Sequence, residues 1–219
     1  MKIHMISYSS ESYYHGLQKG LCKEARKFGW DIIGYTKENI VNDPWYISNY
    51  TLLSYPRGAG YWAWKPYLIY KTMEVVPKDD IILYCDASVR FRYEPTEFII
   101  NEVTKSSIFT LATGFKNRDW CKRDCFVLMN CDSVKYWELH GLWAGVIGIK
   151  NNDYAKGFIL DWMRYCNNYD IISDKPSEIK MNLPGFVDHR HDQAILTNLV
   201  EMYNIKPIFN NETFYDWGE

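Results

Sequence analysis

The sequence predicts an α/β fold with a mixed, mostly parallel central sheet flanked by helices. Three observations support this fold class. The chain begins with a strand, a helix and a second strand, which is how nucleotide-binding α/β sheets open. Residues 81–84 (Ile-Ile-Leu-Tyr) form an unbroken apolar run, as expected for a strand buried on both faces. The length of 219 residues suits one α/β domain covering residues 1–219.

The first strand, helix and second strand are assigned from apolar periodicity. Residues 2–7 are predicted to form the first strand, and residues 30–35 the second. Between them, apolar side chains recur at helical spacing from Glu11 to Phe28, so this stretch is predicted to be a helix that ends at Gly29. Residues 37–53 are polar and irregular, which predicts a loop with a short helix.

Small polar residues follow the first strand, at the edge of the sheet where a nucleotide would bind. Tyr8 offers a ring that can stack on a base, and the hydroxyls of Ser7 and Ser9 can contact a ribose. Helix capping by Ser9 or Ser10 accounts for the same residues equally well. The pattern therefore predicts either a base site or a helix cap.

Residues 57–66 (Arg-Gly-Ala-Gly-Tyr-Trp-Ala-Trp-Lys-Pro) concentrate glycine, aromatic and basic side chains. The two glycines permit a tight backbone close to a ligand. Arg57 and Lys65 are candidates for contacts with a pyrophosphate or a base. A helix from Pro66 to about Val76 follows, because proline favours the first helical position. The alternative is an aromatic plug between helix and sheet, with solvated cations.

The tripeptide Asp86-Ala87-Ser88 follows the apolar run. A parallel strand delivers the next residues to the carboxyl edge of the sheet, where ligands of α/β proteins bind. There Asp86 can hold a cation, Ala87 leaves room for a ligand, and Ser88 offers a second oxygen. The tripeptide resembles the Asp-x-Asp motif with which many glycosyltransferases hold a metal ion and a nucleotide-sugar diphosphate. The alternative is an Asx or Ser turn that ends the strand.

The second half of the chain continues the alternation of helices and strands. Ala144 and Gly145 lie near the start of one strand, where small residues would let a sugar approach the backbone closely. Asn151 and Asn152 are placed to cap the helix that follows. The predicted elements are a helix from Pro95 to Thr104, strands from Ile108 to Ala112 and from Trp143 to Lys150, a helix from Tyr154 to Cys166, an exposed loop from Asn167 to Pro184, and an edge strand from Lys206 to Asn210.

Six polar residues, 188–193, directly precede a predicted helix from Ala194 to Tyr203. His189 and His191 are candidate metal ligands, and a helix start favours anions. Asp192 can act as a base or bind a sugar hydroxyl. Exposed or capping histidines are the alternative interpretation of this cluster.

Composition and targeting signals exclude several classes of protein. The formal net charge is −2 and the basic residues are scattered, which argues against a nucleic-acid-binding surface. No apolar run reaches the roughly 20 residues that span a bilayer, and the amino terminus lacks the apolar core of a signal peptide. The six cysteines lack zinc-site spacing and are expected to be free thiols. These features predict a cytoplasmic protein.

Four stretches occur in an order that resembles a known family: residues 57–66, 84–88, 144–146 and 191–193. They are similar to the small single-domain GT-A glycosyltransferases of capsular polysaccharide loci and of large algal viruses, including chlorovirus enzymes that build the capsid glycan. The resemblance covers most of the chain and implies the GT-A fold. It also implies a UDP-sugar donor, such as UDP-glucose, and a divalent cation, Mn²⁺ or Mg²⁺.

The resemblance also implies roles for particular residues. Asp192 is expected near the reacting centre, as the general base if the reaction inverts the anomeric centre or as a group that orients the sugar if it retains it. Ser88 replaces the usual second carboxylate and is a weaker ligand for a hard cation, so the metal is expected at Asp86, Ser88 and His189. The predicted donor-binding residues are Ser7, Tyr8, Ser9, Arg57, Trp62, Lys65, Asp86, Ala87, Ser88, Ala144, Gly145, His191 and Gln193.

The resulting prediction is a metal-dependent glycosyltransferase. It would move a hexosyl or deoxyhexosyl unit from a UDP-sugar to a hydroxyl of a glycan or glycoprotein acceptor. Two other classes are alternatives. A non-catalytic carbohydrate-binding domain would use the aromatic residues, which make up 17% of the chain. A metal-dependent hydrolase would use the cluster of His189, His191 and Asp192.

Overall fold

The structure is a computed structural model that describes residues 1–216, and it contains a five-stranded sheet and a two-stranded one. The strands within these residues are β1 (Ile3–Ser9), β2 (Asp31–Thr36), β3 (Ile81–Cys85), β4 (Val89–Phe91), β5 (Ile108–Lys116), β6 (His140–Lys150) and β7 (Phe214–Asp216). The larger sheet has the order β2-β1-β3-β6-β5, whereas β4 and β7 form a separate antiparallel pair.

Four strands of the five-stranded sheet run in the same direction. β1 pairs in parallel with both of its neighbours, β2 and β3. β6 is antiparallel to β3 on one side and to β5 on the other, so it is the one reversed strand of this sheet. The predicted mixed, mostly parallel sheet is confirmed.

Helices pack on both faces of this sheet. α10 packs on α5 and α12, and α12 packs on β6, whereas α1 contacts β1 and β2, and α6 contacts β5 and β6. These helices and the shorter ones of residues 1–216 are α1 (Ser12–Arg26), α2 (Pro44–Ser48), α3 (Tyr50–Leu53), α4 (Gly58–Tyr61), α5 (Trp64–Met73), α6 (Thr96–Ser106), α7 (Asn117–Trp120), α8 (Arg123–Leu128), α9 (Val134–Trp137), α10 (Asp153–Cys166), α11 (Tyr169–Ile172) and α12 (His191–Met202), with a 3₁₀ helix at Lys37–Asn39.

The apolar core is divided by the sheet into two clusters. Along β3, Ile82 and Tyr84 belong to one cluster, and Ile81, Leu83 and Cys85 to the other. All five side chains are buried, which explains why the run is apolar without alternation. Each fully buried aliphatic side chain contributes about 1.5–3 kcal/mol, so β3 is held rigidly and fixes the position of the residue after it.

The structure places most predicted elements within a few residues of their expected bounds, but two predictions were wrong in detail. The edge strand predicted over 206–210 is reduced to one parallel bridge between Ile208 and Leu111, because Pro207 has no N–H to extend the ladder. The exposed loop predicted over 167–184 includes α11, whose Ile171 and Ile172 are buried. In addition, the pairing of β4 with β7 was not predicted.

Two further expectations concern the thiols and the membrane. All six cysteines are buried free thiols, as predicted. In the part of the chain that the structure describes, no helix combines the length and the apolar character needed to cross a bilayer.

Candidate active site

A continuous cleft runs along the sheet edge formed by the carboxyl ends of β1 and β3. It comprises three neighbouring cavities, here called outer, middle and inner, with volumes of about 320, 400 and 250 Å³. Tyr8 and Trp64 line both the outer and the middle cavity, and Trp62 and Asp86 line both the middle and the inner one. The outer cavity is also lined by Tyr46, Tyr50 and Tyr55, the middle one by Ser10, Glu11, Tyr14, Ala87 and Ser88, and the inner one by Lys65, Ala144, Gly145, Arg190, His191, Asp192 and Gln193.

Asp86 directly follows β3 and lies where the middle and inner cavities meet. Its backbone N–H donates to the carbonyl of Gly145 at 2.8 Å, which ties it to β6. The Tyr84 hydroxyl donates to Asp86 Oδ1, and Lys65 Nζ lies 3.4 Å from that oxygen. Within residues 1–216, no side chain is bound to Oδ2, and 31% of the side chain is exposed. Asp86 therefore presents one carboxylate oxygen to the cleft.

Lys65 lies in the first turn of α5 and its side chain is buried, with only 2% exposed. Its Nζ lies 3.0 Å from Asp192 Oδ2 and donates to the Ala144 carbonyl at 3.0 Å. Burial disfavours the charged ammonium, but the carboxylates of Asp192 and Asp86 outweigh this and raise the pKa of Lys65. Lys65 is therefore a buried cation that links two acidic residues.

Asp192 is held in the first turn of α12, with only 6% of its side chain exposed. Trp162 Nε1 donates to its backbone carbonyl at 3.2 Å, which fixes the start of the helix. Burial raises the pKa of Asp192 to about 6, Lys65 opposes this rise, and the charge of Asp86 adds to it. A carboxylate with this pKa is ionised at neutral pH and is more basic than an exposed one, as suits a general base.

The two histidines of the cluster are buried and neutral. His189 Nε2 donates to the Ile171 carbonyl at 2.8 Å, and its Nδ1 accepts from the Lys122 backbone N–H at 3.3 Å. Burial, together with the neighbouring charge of Lys122, holds the pKa of His189 well below its usual value. Both ring nitrogens are engaged, so this geometry argues against the metal role predicted for His189.

His191 differs because one of its nitrogens is available. Its Nδ1 donates to the Ile172 carbonyl at 2.8 Å, which leaves Nε2 as an acceptor. Within residues 1–216, Nε2 is buried without a hydrogen-bond partner, and it lies 3.6 Å from Asp174 Oδ1. His191 lines the inner cavity, although this nitrogen is itself buried.

Residues 58–62 form a left-handed turn between the middle and inner cavities. All five have positive φ, from +48° at Ala59 to +97° at Gly60. The Trp62 N–H donates to the Gly58 carbonyl at 3.1 Å, so the turn has helical hydrogen bonding of the opposite hand. Each non-glycine residue in this conformation costs about 1–2 kcal/mol. The strain places the Trp62 ring between two parts of the cleft, where residues held in rare conformations are often functional.

Replacing Gly60 by alanine should destabilise the protein by about 2–5 kcal/mol, from backbone strain and steric overlap. A Cβ added at Gly60 would lie 2.6 Å from the Leu53 Cα, which is backbone and cannot move aside. Urea unfolding measures this change. Gly16→Ala in α1 is the control, because a Cβ there has no neighbour within 4 Å and should stabilise the helix by about 0.5–1 kcal/mol. Equal stability of the two variants would contradict the left-handed turn.

Ser7 and Ser9, predicted to contact the donor, do not line the cleft. β1 extends through Ser9, and side chains alternate along a strand, so these two point away from the face of Tyr8. The Ser9 hydroxyl donates to Gln18 Oε1 at 3.0 Å, and the Ser7 carbonyl accepts from Gln18 Nε2 at 2.9 Å. Neither serine caps α1, whose first turn has no side-chain cap. Ser10 lines the cleft instead.

Several other predicted residues lie in the cleft, but with partners that the sequence did not indicate. Arg57 is paired with Asp174 at 2.8 Å and with Asp188 at 2.7 Å. A Cβ added at Gly145 would lie 2.5 Å from Trp143 Nε1, so the missing side chain makes room for an indole rather than for a sugar. Gln193 Oε1 accepts from the Ala144 N–H at 3.4 Å. Tyr8, Trp62, Ala87, Ser88, Ala144 and His191 line the cleft, and their role in binding a donor stays a prediction.

Some cleft residues were not predicted from the sequence. Glu11 and Tyr14 lie at the start of α1 and face the middle cavity, whereas Trp143, Arg190 and Asp216 line the inner one. Arg190 belongs to the polar run 188–193, and its charge could have identified it. Asp216 is brought to the cleft by the unexpected pairing of β7 with β4, for which the sequence gives no local signal.

The residues at the centre of the cleft fit a divalent cation that a diphosphate helps to hold. Mg²⁺ sites of this kind use one or two protein oxygens together with phosphates and waters. Asp86 Oδ2 and the Ser88 hydroxyl are candidate ligands on the middle cavity, which the oxygens of Ser10 and Glu11 also line. Among residues 1–216, no group of three or more His, Cys, Asp or Glu side chains could hold a metal ion without such help.

Comparison with known proteins is informative at the level of structure. No model of a known protein family matches the chain, and no curated protein does. The chain is similar to a glycosyltransferase involved in glycosylation of the major capsid of PBCV-1, with a TM-score of 0.55, 14% identity, and coverage of 96% of this chain and 82% of that one. It is also similar to mouse xyloside xylosyltransferase 1, with a TM-score of 0.53, 12% identity, and coverage of 96% and 86%. The chain therefore has the GT-A glycosyltransferase fold.

Proposed function

We propose that the protein is a glycosyltransferase that moves a hexosyl or deoxyhexosyl unit from a UDP-sugar to a hydroxyl of a glycan acceptor. The observation that carries this proposal is the order of groups along the cleft. Aromatic side chains line its outer part, Asp86 stands at its centre, and the buried pair of Lys65 and Asp192 lies at its inner end. A base, a diphosphate and a sugar follow each other in the same order in a nucleotide-sugar.

The nucleotide is assigned to the outer and middle cavities. Tyr8 packs against Trp64 with a centroid separation of 4.1 Å, which gives a fixed aromatic wall for a base. The pKa of Tyr8 is raised, mainly by burial, so its hydroxyl stays protonated and can donate a hydrogen bond. Ser10 and Glu11 provide further polar groups on the same cavities.

A divalent cation, Mn²⁺ or Mg²⁺, is assigned to Asp86 and Ser88. When bound, it would neutralise the charge that develops on the diphosphate leaving group. The protein's own contribution is to orient Asp86. Tyr84 and Lys65 engage Oδ1, so Oδ2 faces the cleft.

The acceptor hydroxyl is assigned to the inner cavity, beside Asp192. In an inverting reaction, this carboxylate would take the proton from the hydroxyl as it attacks the anomeric carbon. Lys65 holds the carboxylate in place from its buried side. In a retaining reaction, the same carboxylate would orient the donor sugar.

The alternative classes are less well supported. A hydrolase based on His189, His191 and Asp192 would need histidine nitrogens that face one metal ion, but both nitrogens of His189 are engaged elsewhere. A carbohydrate-binding domain would have no need of the buried Lys65 between two carboxylates. Free buried thiols are usual in a reducing compartment, which supports a cytoplasmic location.

UDP with Mn²⁺ should raise the thermal midpoint of the protein by about 5–11 °C at 100 times the dissociation constant, since such binding adds about 2.7 kcal/mol. Differential scanning fluorimetry with and without each ligand measures this shift. Asp86→Asn should lose the part that depends on Mn²⁺. Asp153→Asn, a control at an exposed position in the first turn of α10, should retain it. A shift caused by a glycan but not by UDP would favour a carbohydrate-binding domain.

A further inference from the structure

One basic side chain of the inner cavity, Arg190, forms no ion pair with a carboxylate of residues 1–216. The other two cations that line this cavity are already neutralised. Arg57 contacts two carboxylates at 2.7 and 2.8 Å, and Lys65 lies 3.0 and 3.4 Å from two others. Arg190 is therefore the uncommitted positive charge of this cavity within the described part of the chain.

The Arg190 guanidinium is both oriented and accessible. Its centre lies 4.4 Å from the centroid of the Trp120 ring, which is a cation–π contact. The backbone N–H of Arg190 donates to the Trp120 carbonyl at 2.9 Å. The residue is exposed and directly precedes α12, two positions before Asp192. The cation–π contact restricts the guanidinium, and the exposure of the residue makes its N–H groups accessible for a bidentate contact.

An aromatic surface continues outward from Arg190. The Trp120 ring contacts Phe115 with a centroid separation of 5.6 Å, and Phe115 is 60% exposed. Trp143 lines the inner cavity itself. Such rings suit the apolar faces of sugars. This surface lies at the end of the cleft that is opposite the outer cavity, so it favours an acceptor chain over the nucleotide.

We propose that Arg190 binds an anionic group, a carboxylate or a phosphate, carried by the acceptor glycan. The substrate class is then an acidic glycan, and this assignment rests on the proposed glycosyltransferase function. Asp86, Asp192 and Asp216 also line the inner cavity and would repel an anion placed elsewhere in it. The anionic group is thereby confined to Arg190, which sets the orientation in which an acceptor hydroxyl reaches Asp192.

NMR titration of the UDP-saturated protein with methyl glucuronide and with neutral methyl glucoside tests this proposal. The wild-type protein should bind the glucuronide about tenfold to hundredfold more tightly, as expected for hydrogen bonds between charged groups. Arg190→Gln should reduce the preference to less than about threefold. Arg164→Gln is the matched control, because that guanidinium also stacks on a ring, Tyr165 at 4.3 Å, but lies outside the cleft.

The same titrations separate the proposal from its rivals. Equal binding of both sugars by the wild-type protein, or a preference that persists in Arg190→Gln, would overturn it. A tenfold loss of UDP affinity in Arg190→Gln would assign the guanidinium to the donor diphosphate instead. A glucuronide that displaces UDP-sugar would assign the carboxylate to the donor. Failure of the wild-type protein to bind UDP would contradict the proposed function. The sugar titrations without UDP would still show whether Arg190 binds the anionic group.

Discussion

Asp192→Asn is expected to lower kcat/KM for glycosyl transfer by about 10²- to 10⁴-fold, the contribution typical of general acid–base catalysis. Asparagine keeps the size of the side chain but cannot accept the proton of the acceptor hydroxyl. The buried position argues for this role, because a carboxylate with 6% exposure is shielded from competing water. The loss should appear in initial-rate measurements with a fixed acceptor.

The pH profile of the wild-type protein is an independent test of the role of Asp192 as a base. Asp192 must be ionised to act as a base, and its pKa is raised to about 6. Below that pH, kcat/KM should therefore fall about tenfold per pH unit. Asp153→Asn, at an exposed position in the first turn of α10, should leave rate and profile unchanged. An Asp192→Asn variant with the full wild-type rate would remove this residue from the mechanism.

Lys65→Met is expected to destabilise the protein by about 3–5 kcal/mol and to abolish transfer. Removing the ammonium leaves the buried Asp192 and the partly exposed Asp86 without their shared counter-ion, and an uncompensated buried charge is costly. Urea unfolding at pH 7 measures the free energy of unfolding. The deficit should shrink at pH 5, where Asp192 is protonated and the introduced methionine faces a neutral acid.

Two controls make the Lys65 prediction specific. Lys71→Met, on the same helix, removes a partly exposed ammonium 2.6 Å from Asp43 and should cost less than about 1 kcal/mol. Adding Asp192→Asn to Lys65→Met should restore about 1–3 kcal/mol of the free energy of unfolding, since the second change removes one of the carboxylates left without a counter-ion. Additive losses in the double variant would mean that Lys65 and Asp192 act independently.

The fold was predictable because its signals are local. The apolar run at 81–84 identifies a strand buried on both faces, and the Asp that follows it is carried to the sheet edge by backbone geometry alone. The position of Asp86 in the cleft is therefore predicted from a few neighbouring residues. Strand β6 and the helix after it required only periodicity and the polar pair Asn151 and Asn152. Asn152 is the N-cap and accepts from the Ala155 N–H, whereas the Asn151 side chain donates to the Met73 carbonyl and is not a cap.

The partners of Asp86 could not be found in the same way. Lys65 and Asp192 are distant from it in sequence, and only the packing of α5 and α12 against the rest of the fold brings their side chains together. The error at Ser7 and Ser9 arose because the strand was expected to end at Ser7; β1 instead continues through Ser9, and alternation along the strand places both hydroxyls on the face opposite Tyr8. For His189, the local pattern is compatible with a metal ligand, and only the burial of α11 reveals the carbonyl that it binds.

The cluster of Lys65, Asp86 and Asp192 has a consequence for the height of the reaction barrier. One ammonium lies between two carboxylates, so these side chains carry an excess of one negative charge, which the divalent cation proposed at Asp86 would offset on that side. As the bond from the anomeric carbon to a leaving group stretches, the ring gains the character of an oxocarbenium ion. The Asp192 carboxylate, fixed beside the sugar before the substrate arrives, would stabilise that cation relative to the neutral ground state and so lower the barrier.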